Sequence, residues 1–568
     1  MLDLKAKKIL LIEDYPVMRK AIRDMLYSLG VITLIEAENG QKAINAMQAH
    51  KFDIVLCDYN LGTGKNGLQV LEEARFRRLL ASSAAFIMVT AEQVQGMVLS
   101  AMENKPDEYL TKPFTAQLLL TRLERTFERK LLFKRVNAAT SIDNYSLAIK
   151  YCDKLLEESP KKVRTVILKK RAELAVHTQD YVTAQDIYQN ILEQRELNWA
   201  LLGIAQINYL QGNTEEAIGI FQEIISKYPM TMEAYDLLAQ SYEATEKHIE
   251  AQEALHKAVQ LSPQTILRQR KLATIANKTG DLKTAENACK AAVELGRYSI
   301  HKSSNDFSNL AQIFKKADKK TEALEVLQTM RAEFPNDPSA ELRATIAESE
   351  IYQSMGDTEQ AEEAFNKALS ISKQYDQILD KEIKLEMSKT CYQNNQEEMA
   401  DTLINHLIKS HIDDDNFINE VNAMHNAIGR KNHVDKLINA TRQELTRINN
   451  EGVKLYQQEK FIESIAVFAK AFKAMPENKT IILNMTKIIL HNIKVSGSTK
   501  ENMAEAKFYI NKAKKLGVAQ YKLNSIQMEY AKLVHSFNKT TKIGAPSYLM
   551  KYLGLLSPNI HSHTERIG

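Results

Sequence analysis

A small residue returns at nearly constant intervals through most of this chain: Ala148, Ala184, Ala217, Ala251, Ala285, Ala323, Ala361 and Ala400 lie 33 to 39 residues apart. Self-similarity at that period means one supersecondary unit copied many times. The clearest unit, YDLLAQSYEATEKHIEAQEALHKAVQLSP, reads as a helix hairpin. Ala239, Ala251 and Ala258 let two helices approach closely, Tyr242 and Leu255 fill the space between them, and Pro263, 34 residues after Pro229, ends the second helix. One hairpin cannot bury its apolar face, so neighbours must stack into a solenoid. The composition agrees, since 19 glycines and 11 prolines in 568 residues are too few for a large all-β protein rich in tight turns.

The first 125 or so residues obey a different rule. Short β-branched runs (KKILLIED, VITLIEA, FDIVLCD, AAFIMVT and DEYLTKP) alternate with amphipathic stretches such as PVMRKAIRDMLYSLG. This pattern predicts a five-stranded, doubly wound parallel sheet with helices on both faces. The strands stop after Pro113. From Phe114 to Ala139 there is no glycine or proline, and Leu118, Leu119, Leu123, Phe127, Leu131, Leu132 and Val136 recur at helical spacing. One continuous helix is expected there, running from the sheet domain into the first hairpin and fixing their orientation. The expected organisation is therefore an α/β domain at 1–128, an all-α repeat domain at 129–538 and a mobile tail at 539–568. Within the repeats the signature fades between 401 and 448, a helix at 519–535 would cap the stack, and PSYLMKYLGLL would form a short helix in the tail. His561 and His563 read there as solvated residues.

No run reaches eighteen apolar residues, which argues against membrane insertion and a secretion signal. Cys57, Cys152, Cys289 and Cys391 form no CxxC pair, as suits a reducing cytoplasm. A net charge of +4 is too weak for its length to call for nucleic acid.

Glu13, Asp14, Asp58, Thr90 and Lys112 each close or directly follow an apolar strand. In a parallel sheet the carboxyl ends of the strands lie together, so three carboxylates, a hydroxyl and an ammonium should converge in one crevice. Such a group repels itself without a cation. Mg²⁺ is the natural one, a hard ion that takes a few carboxylates and leaves positions for phosphoryl oxygens.

Over residues 5–125 this constellation resembles the receiver domain of two-component response regulators. The resemblance implies that Asp58 accepts a phosphoryl group from a phosphohistidine, and that Asp14, Asp58 and the Asn60 backbone carbonyl bind Mg²⁺ with Glu13 acting through water. It also implies that Lys112 and Thr90 contact the phosphoryl group and that Tyr109 rotates inward as the switch aromatic. Asn60 and Glu92 flank the site and would leave room for water, implying a short-lived phosphoryl group. Lys112 followed by Pro113 suits a cis peptide, and the loop DYNLGTGKNG is one residue longer than in the commonest receivers. Residues 130–535 resemble a tetratricopeptide (TPR) array, which implies a groove for a protein or peptide. In the best repeats that groove should carry Trp199, Gln206, Tyr209, Asp236, Gln240, Glu243, Arg270, Asn277 and Lys278. Packing between helices is the alternative for Trp199, and a buried strand position is the expectation for Cys57.

The chain contains no HExxH, phosphate loop or nucleophile elbow, so an enzyme acting on an external substrate is not expected. The expected function is a response regulator, phosphorylated by a sensor histidine kinase or histidine phosphotransfer protein, that acts through TPR-mediated protein binding. Two alternatives remain open: a phosphate sink or inhibitor of a cognate kinase, and a DNA-binding transcription regulator whose helical reader lies in 401–448. The acidic IDDDNF speaks against the second.

Overall fold

A computed structural model describes residues 2–90, 99, 103, 105–376, 378–518 and 520–540. The N-terminal strands are β1 (Lys8–Ile12), β2 (Thr33–Ala37), β3 (Ile54–Asp58), β4 (Ala85–Thr90) and β5 (Glu108–Thr111). All pair in parallel in the order β2-β1-β3-β4-β5. Side chains alternate between faces along each strand. Leu10, Ile12, Val55, Cys57, Phe86 and Met88 pack under α2 (Gly40–Ala49) and α3 (Gly67–Phe76). Ile9, Leu11, Ile54, Leu56, Ile87 and Val89 pack under α1 (Pro16–Ser28) and α4 (Ala116–Leu132). The central strands are apolar at nearly every position because both faces are covered, and Cys57 is indeed fully buried.

The expected continuous helix from Phe114 to Ala139 is interrupted. α4 ends at Leu132, Phe133 leaves helical geometry (φ −93°, ψ 9°), and α5 runs Lys134–Ser141. The two ends serve different cores: Leu119 and Leu123 are buried in the sheet domain, whereas Phe133, Val136 and Ala139 are buried in the first hairpin. Leu131, expected on a shared apolar stripe, is 72% exposed. A break at Phe133 lets each segment aim its apolar face at its own core.

The remaining helices form antiparallel hairpins, and most hairpin turns pass through a left-handed residue, such as Gln179, Gly212, Glu246 and Gly280. The chain divides between Asp357 and Thr358 into two compact units. In the first, a core runs through successive repeats from Ala205 to Ile351. Gly203 shows how tightly the helices meet, because a Cβ there would lie 2.3 Å from the Tyr188 ring.

In the second unit, the stretch at 401–448 consists of helices, with Asp415–Ala427 forming a hairpin with the start of a helix at Lys431–Gln457. That 27-residue helix continues into the next hairpin, so the turn that would separate two repeats is absent. The helix expected at 519–535 is Gln520–Thr540, with Leu523 and Ile526 buried in the terminal core. Residues 541–568, with PSYLMKYLGLL, His561 and His563, lie outside the described residues.

His425 is fully buried in this unit. Its Nδ1 lies 2.8 Å from the Val421 carbonyl, so Nδ1 carries the proton, and Nε2 is buried without a hydrogen-bond partner. Burial lowers its pKa, His433 and Arg430 push the same way, and the Val421 bond and Asp401 oppose them. The unfolded chain, titrating near 6.5, therefore takes up a proton before the folded one does. Stability should be unaffected by this group at pH 7.5 and fall as pH drops below about 6.5. Hydrogen-exchange protection across 415–457, compared at pH 7.5 and 5.5, should show the loss, and His425→Gln should flatten it. An equal loss in the variant would assign the effect elsewhere.

Candidate functional site

β1, β3, β4 and β5 all end on one edge of the sheet, and the five residues singled out there meet in a cleft of about 290 Å³ lined by Glu13, Asp14, Tyr15, Met18, Asp58, Asn60, Thr90 and Lys112. Glu13 and Asp14 follow β1, Asp58 closes β3, Thr90 closes β4 and Lys112 follows β5. Carboxylate oxygens of Glu13, Asp14 and Asp58 all lie within 4.8 Å of one another. Lys112 Nζ donates to Glu13 Oε2 at 2.6 Å and lies 3.0 Å from Asp58 Oδ2. One ammonium among three carboxylates leaves a net negative pocket of hard oxygen donors, with room for phosphoryl oxygens, which fits Mg²⁺. The crowding shows in Asp58, whose pKa is raised to about 6 by burial and by Glu13, against the opposing pull of Lys112.

Local structure holds each group. Asp58 Oδ1 accepts from the Tyr59 backbone N–H at 2.9 Å. The Lys112–Pro113 peptide is cis, and the Lys112 N–H donates to the Thr90 carbonyl at 2.7 Å, tying the β4 and β5 ends together. Arg19, which the sequence offers only as one of many basic helix residues, donates from Nη1 to the carbonyls of Glu13 at 2.6 Å and Asp14 at 3.2 Å, fixing the turn that carries both acids. In the loop after β3, Gly62 brings its backbone so close that a Cβ would lie 3.1 Å from Asp14 Oδ2. Lys65 anchors that loop to Gln41 at 2.9 Å and to buried Glu73 at 3.3 Å.

Tyr109 is not among the residues lining the cleft. It sits half-buried on β5, paired in register with Met88 and packed against the core under α2 and α3. Glu92 lies outside the described residues. Cys57 is packed rather than reactive, its thiol held well above its ordinary pKa by burial and by Asp58.

The expected groove residues are largely bonded to neighbouring repeats. Asp236 pairs with Arg268, Arg270 with Asp306 at 2.7 Å, Lys278 with Glu243 at 3.7 Å, and Asn277 accepts from Lys316 at 2.7 Å. Trp199 packs edge-on to Tyr188 with Lys169 over its ring. Tyr209 rests half-buried on the repeat core, and Gln206 and Gln240 are also half-buried. Sequence reasoning missed Arg268 and Glu103, which lie 165 positions apart and are joined by the fold. No local spacing signals such a pair.

The response regulator receiver domain pattern matches residues 9–124, and tetratricopeptide repeat patterns match 199–229, 233–265 and 344–375. Chemotaxis protein CheY of Pseudomonas aeruginosa is 34% identical over 122 residues, which are 22% of this chain and 97% of that protein. CheY-3 of Vibrio cholerae is 32% identical over 125 residues, 22% of this chain and 95% of that one. Among solved structures, the receiver domain of the Francisella response regulator 1452 is similar at 20% identity and a TM-score of 0.20, covering 22% of this chain and 98% of that chain. A tetratricopeptide repeat protein from Parabacteroides merdae is similar at 15% identity and a TM-score of 0.29, covering 46% and 98%. With a receiver relative matched across nearly its whole length and repeat patterns behind that match, this chain belongs to the response regulator family, carrying an N-terminal CheY-like receiver domain and a C-terminal TPR array.

Proposed function

We propose that this protein is a phosphorylation-gated interaction protein of a two-component pathway. Asp58 takes a phosphoryl group from the phosphohistidine of a sensor kinase or phosphotransfer protein, and the repeats bind a protein segment. The observation that carries this reading is the convergence of Asp58, Lys112 and Thr90 with the Glu13–Asp14 pair in one cleft. In the transfer, an Asp58 oxygen forms the new P–O bond, the P–N bond breaks, and the imidazole leaves with its electron pair and takes up a proton. Lys112, already 3.0 Å from Asp58, is placed to hold a transferred phosphoryl oxygen, and Thr90 to donate its hydroxyl to another. Mg²⁺, held by Asp14, Asp58 and the Asn60 carbonyl with Glu13 behind them, would neutralise the crowded oxygens.

The output is protein binding and not catalysis on an external substrate, and the mixed charges of the repeat face favour a protein segment over DNA. Among the described residues no helix is long and apolar enough to cross a membrane, and a cytoplasmic location fits the kinase partner. The test is acetyl phosphate with the full chain in Mg²⁺. One acid-stable, base-labile phosphoryl group should form on Asp58, and a chelator should prevent it. A label on any other residue, or labelling that survives the chelator, would overturn the assignment.

A further inference from the structure

The receiver meets the repeats at a second polar site, away from the phosphoacceptor cleft. Arg268, near the start of the helix Ile266–Thr279, has a side chain only 2% exposed. Its Nη2 donates to Glu103 Oε1 and to Asp236 Oδ2, each at 2.7 Å, and its Nε donates to Asp236 Oδ1 at 2.9 Å. The second oxygen of Glu103 accepts from Thr265 Oγ1 at 2.7 Å and from Ser262 Oγ at 3.0 Å. Ser262 is itself fully buried. A guanidinium and two hydroxyls from one inter-repeat turn thus converge on a single carboxylate, which belongs to the receiver. Burial alone would disfavour the charge on Arg268, but the bonds from Asp236 and Glu103 outweigh it and hold the guanidinium charged.

Among the described residues, two further contacts follow the same line of turns. Gln69 Nε2 donates to the Leu295 carbonyl at 3.0 Å, and Glu72 hydrogen-bonds Ser299. Glu103 enters as a ligand would. Without it, Arg268 keeps Asp236 as its ion-pair partner. Its place in the receiver also matters. Glu103 lies on the segment joining β4, which ends at Thr90, to β5, which leads to Lys112. β4 therefore ends in a side chain of the phosphoacceptor cleft, and β5 is directly followed by one.

We propose that Arg268, Ser262 and Thr265 form a carboxylate-binding site of the repeat array whose resident ligand is the receiver's own Glu103, and that phosphorylation of Asp58 withdraws Glu103 from it. The vacated site holds one buried cation and two hydroxyl donors beside Asp236, and its ligand class is a single acidic side chain. The link to phosphorylation rests on the phosphoacceptor role of Asp58 given above, whereas the binding site itself does not.

Hydrogen exchange and labelling on the full chain test the two parts separately. In the unphosphorylated protein, Glu103→Gln should lower the protection of amides at 262–270 by five-fold or more, the scale of an ordinary coupling between sites. Wild-type exchange in the variant would overturn the site. Acetyl phosphate with Mg²⁺ should lower protection over the same amides in the wild-type chain. Because Glu103→Gln raises the population of the receiver form that phosphorylation favours, it should also take up phosphoryl groups at least about five-fold faster than wild type. Arg268→Gln combined with Glu103→Gln should label no faster than Glu103→Gln alone, because both remove one interaction. Unchanged protection on a chain shown to carry the phosphoryl group, or wild-type labelling kinetics in Glu103→Gln, would overturn the linkage. If Asp58 takes no phosphoryl group at all, the phosphoacceptor reading fails, while the exchange comparison of unphosphorylated proteins still decides the site. Glu103 is only partly buried, so its glutamine variant is expected to fold even if Arg268→Gln does not.

Discussion

Asp58→Asn should reduce phosphoryl incorporation from acetyl phosphate by about a hundred-fold or more while leaving the fold unchanged. Asparagine is nearly isosteric and keeps an oxygen to accept the Tyr59 N–H that now bonds Asp58 Oδ1 at 2.9 Å. What it loses is the anionic oxygen that attacks phosphorus in the proposed transfer. The neighbouring acids are poor substitutes. Glu13 is almost fully buried and bonded to Lys112 at 2.6 Å, and Asp14 sits on the β1–α1 turn pinned by Arg19. The variant should be at least as stable as wild type without Mg²⁺, because one of three crowded carboxylates becomes neutral. Intact-protein mass spectrometry and thermal denaturation measure the two effects together. Labelling at the wild-type level in a folded variant would show that another residue is the acceptor.

Gly67→Ala should be nearly as damaging, through packing alone. Gly67 opens α3 directly beside the end of β3, and its N–H donates to the Tyr59 carbonyl at 2.8 Å. A Cβ built there would lie 2.2 Å from the Asp58 carbonyl oxygen, 3.0 Å from the Asp58 carbonyl carbon and 3.1 Å from Cys57 Sγ. The first two atoms are backbone in a central strand and cannot rotate away. Either α3 must lift or the end of β3 must shift, and overpacking of this kind typically costs about 1–3 kcal/mol. Because the moving atoms carry Asp58, a shift of even a few tenths of an ångström misplaces the proposed nucleophile against Lys112 and Thr90. The expected outcome is a lowered melting temperature of the receiver together with labelling slowed by about ten-fold or more. Wild-type stability and labelling would mean that the backbone here yields more easily than its position in a doubly covered sheet implies.

The amino-acid sequence alone determined the parts of this protein that follow from local periodicity. Alternating apolar runs specified five strands, the returning alanines specified the hairpins, and the placement of Glu13, Asp14, Asp58, Thr90 and Lys112 at strand ends located the cleft, since a parallel sheet has only one edge where such ends can meet. Tertiary structure decided the rest. The helix after Pro113 has no breaker in its sequence, yet it is interrupted at Phe133 because its two halves answer to two separate cores. The polar residues expected to face a partner are largely spent on neighbouring repeats, and Arg268 gained a carboxylate from a residue 165 positions earlier. Helix and strand propensities act over a few residues, so composition and spacing can express them. A buried ion pair forms only after two distant surfaces are brought together, and which acid reaches Arg268 is set by the geometry of packing and not by any pattern along the chain.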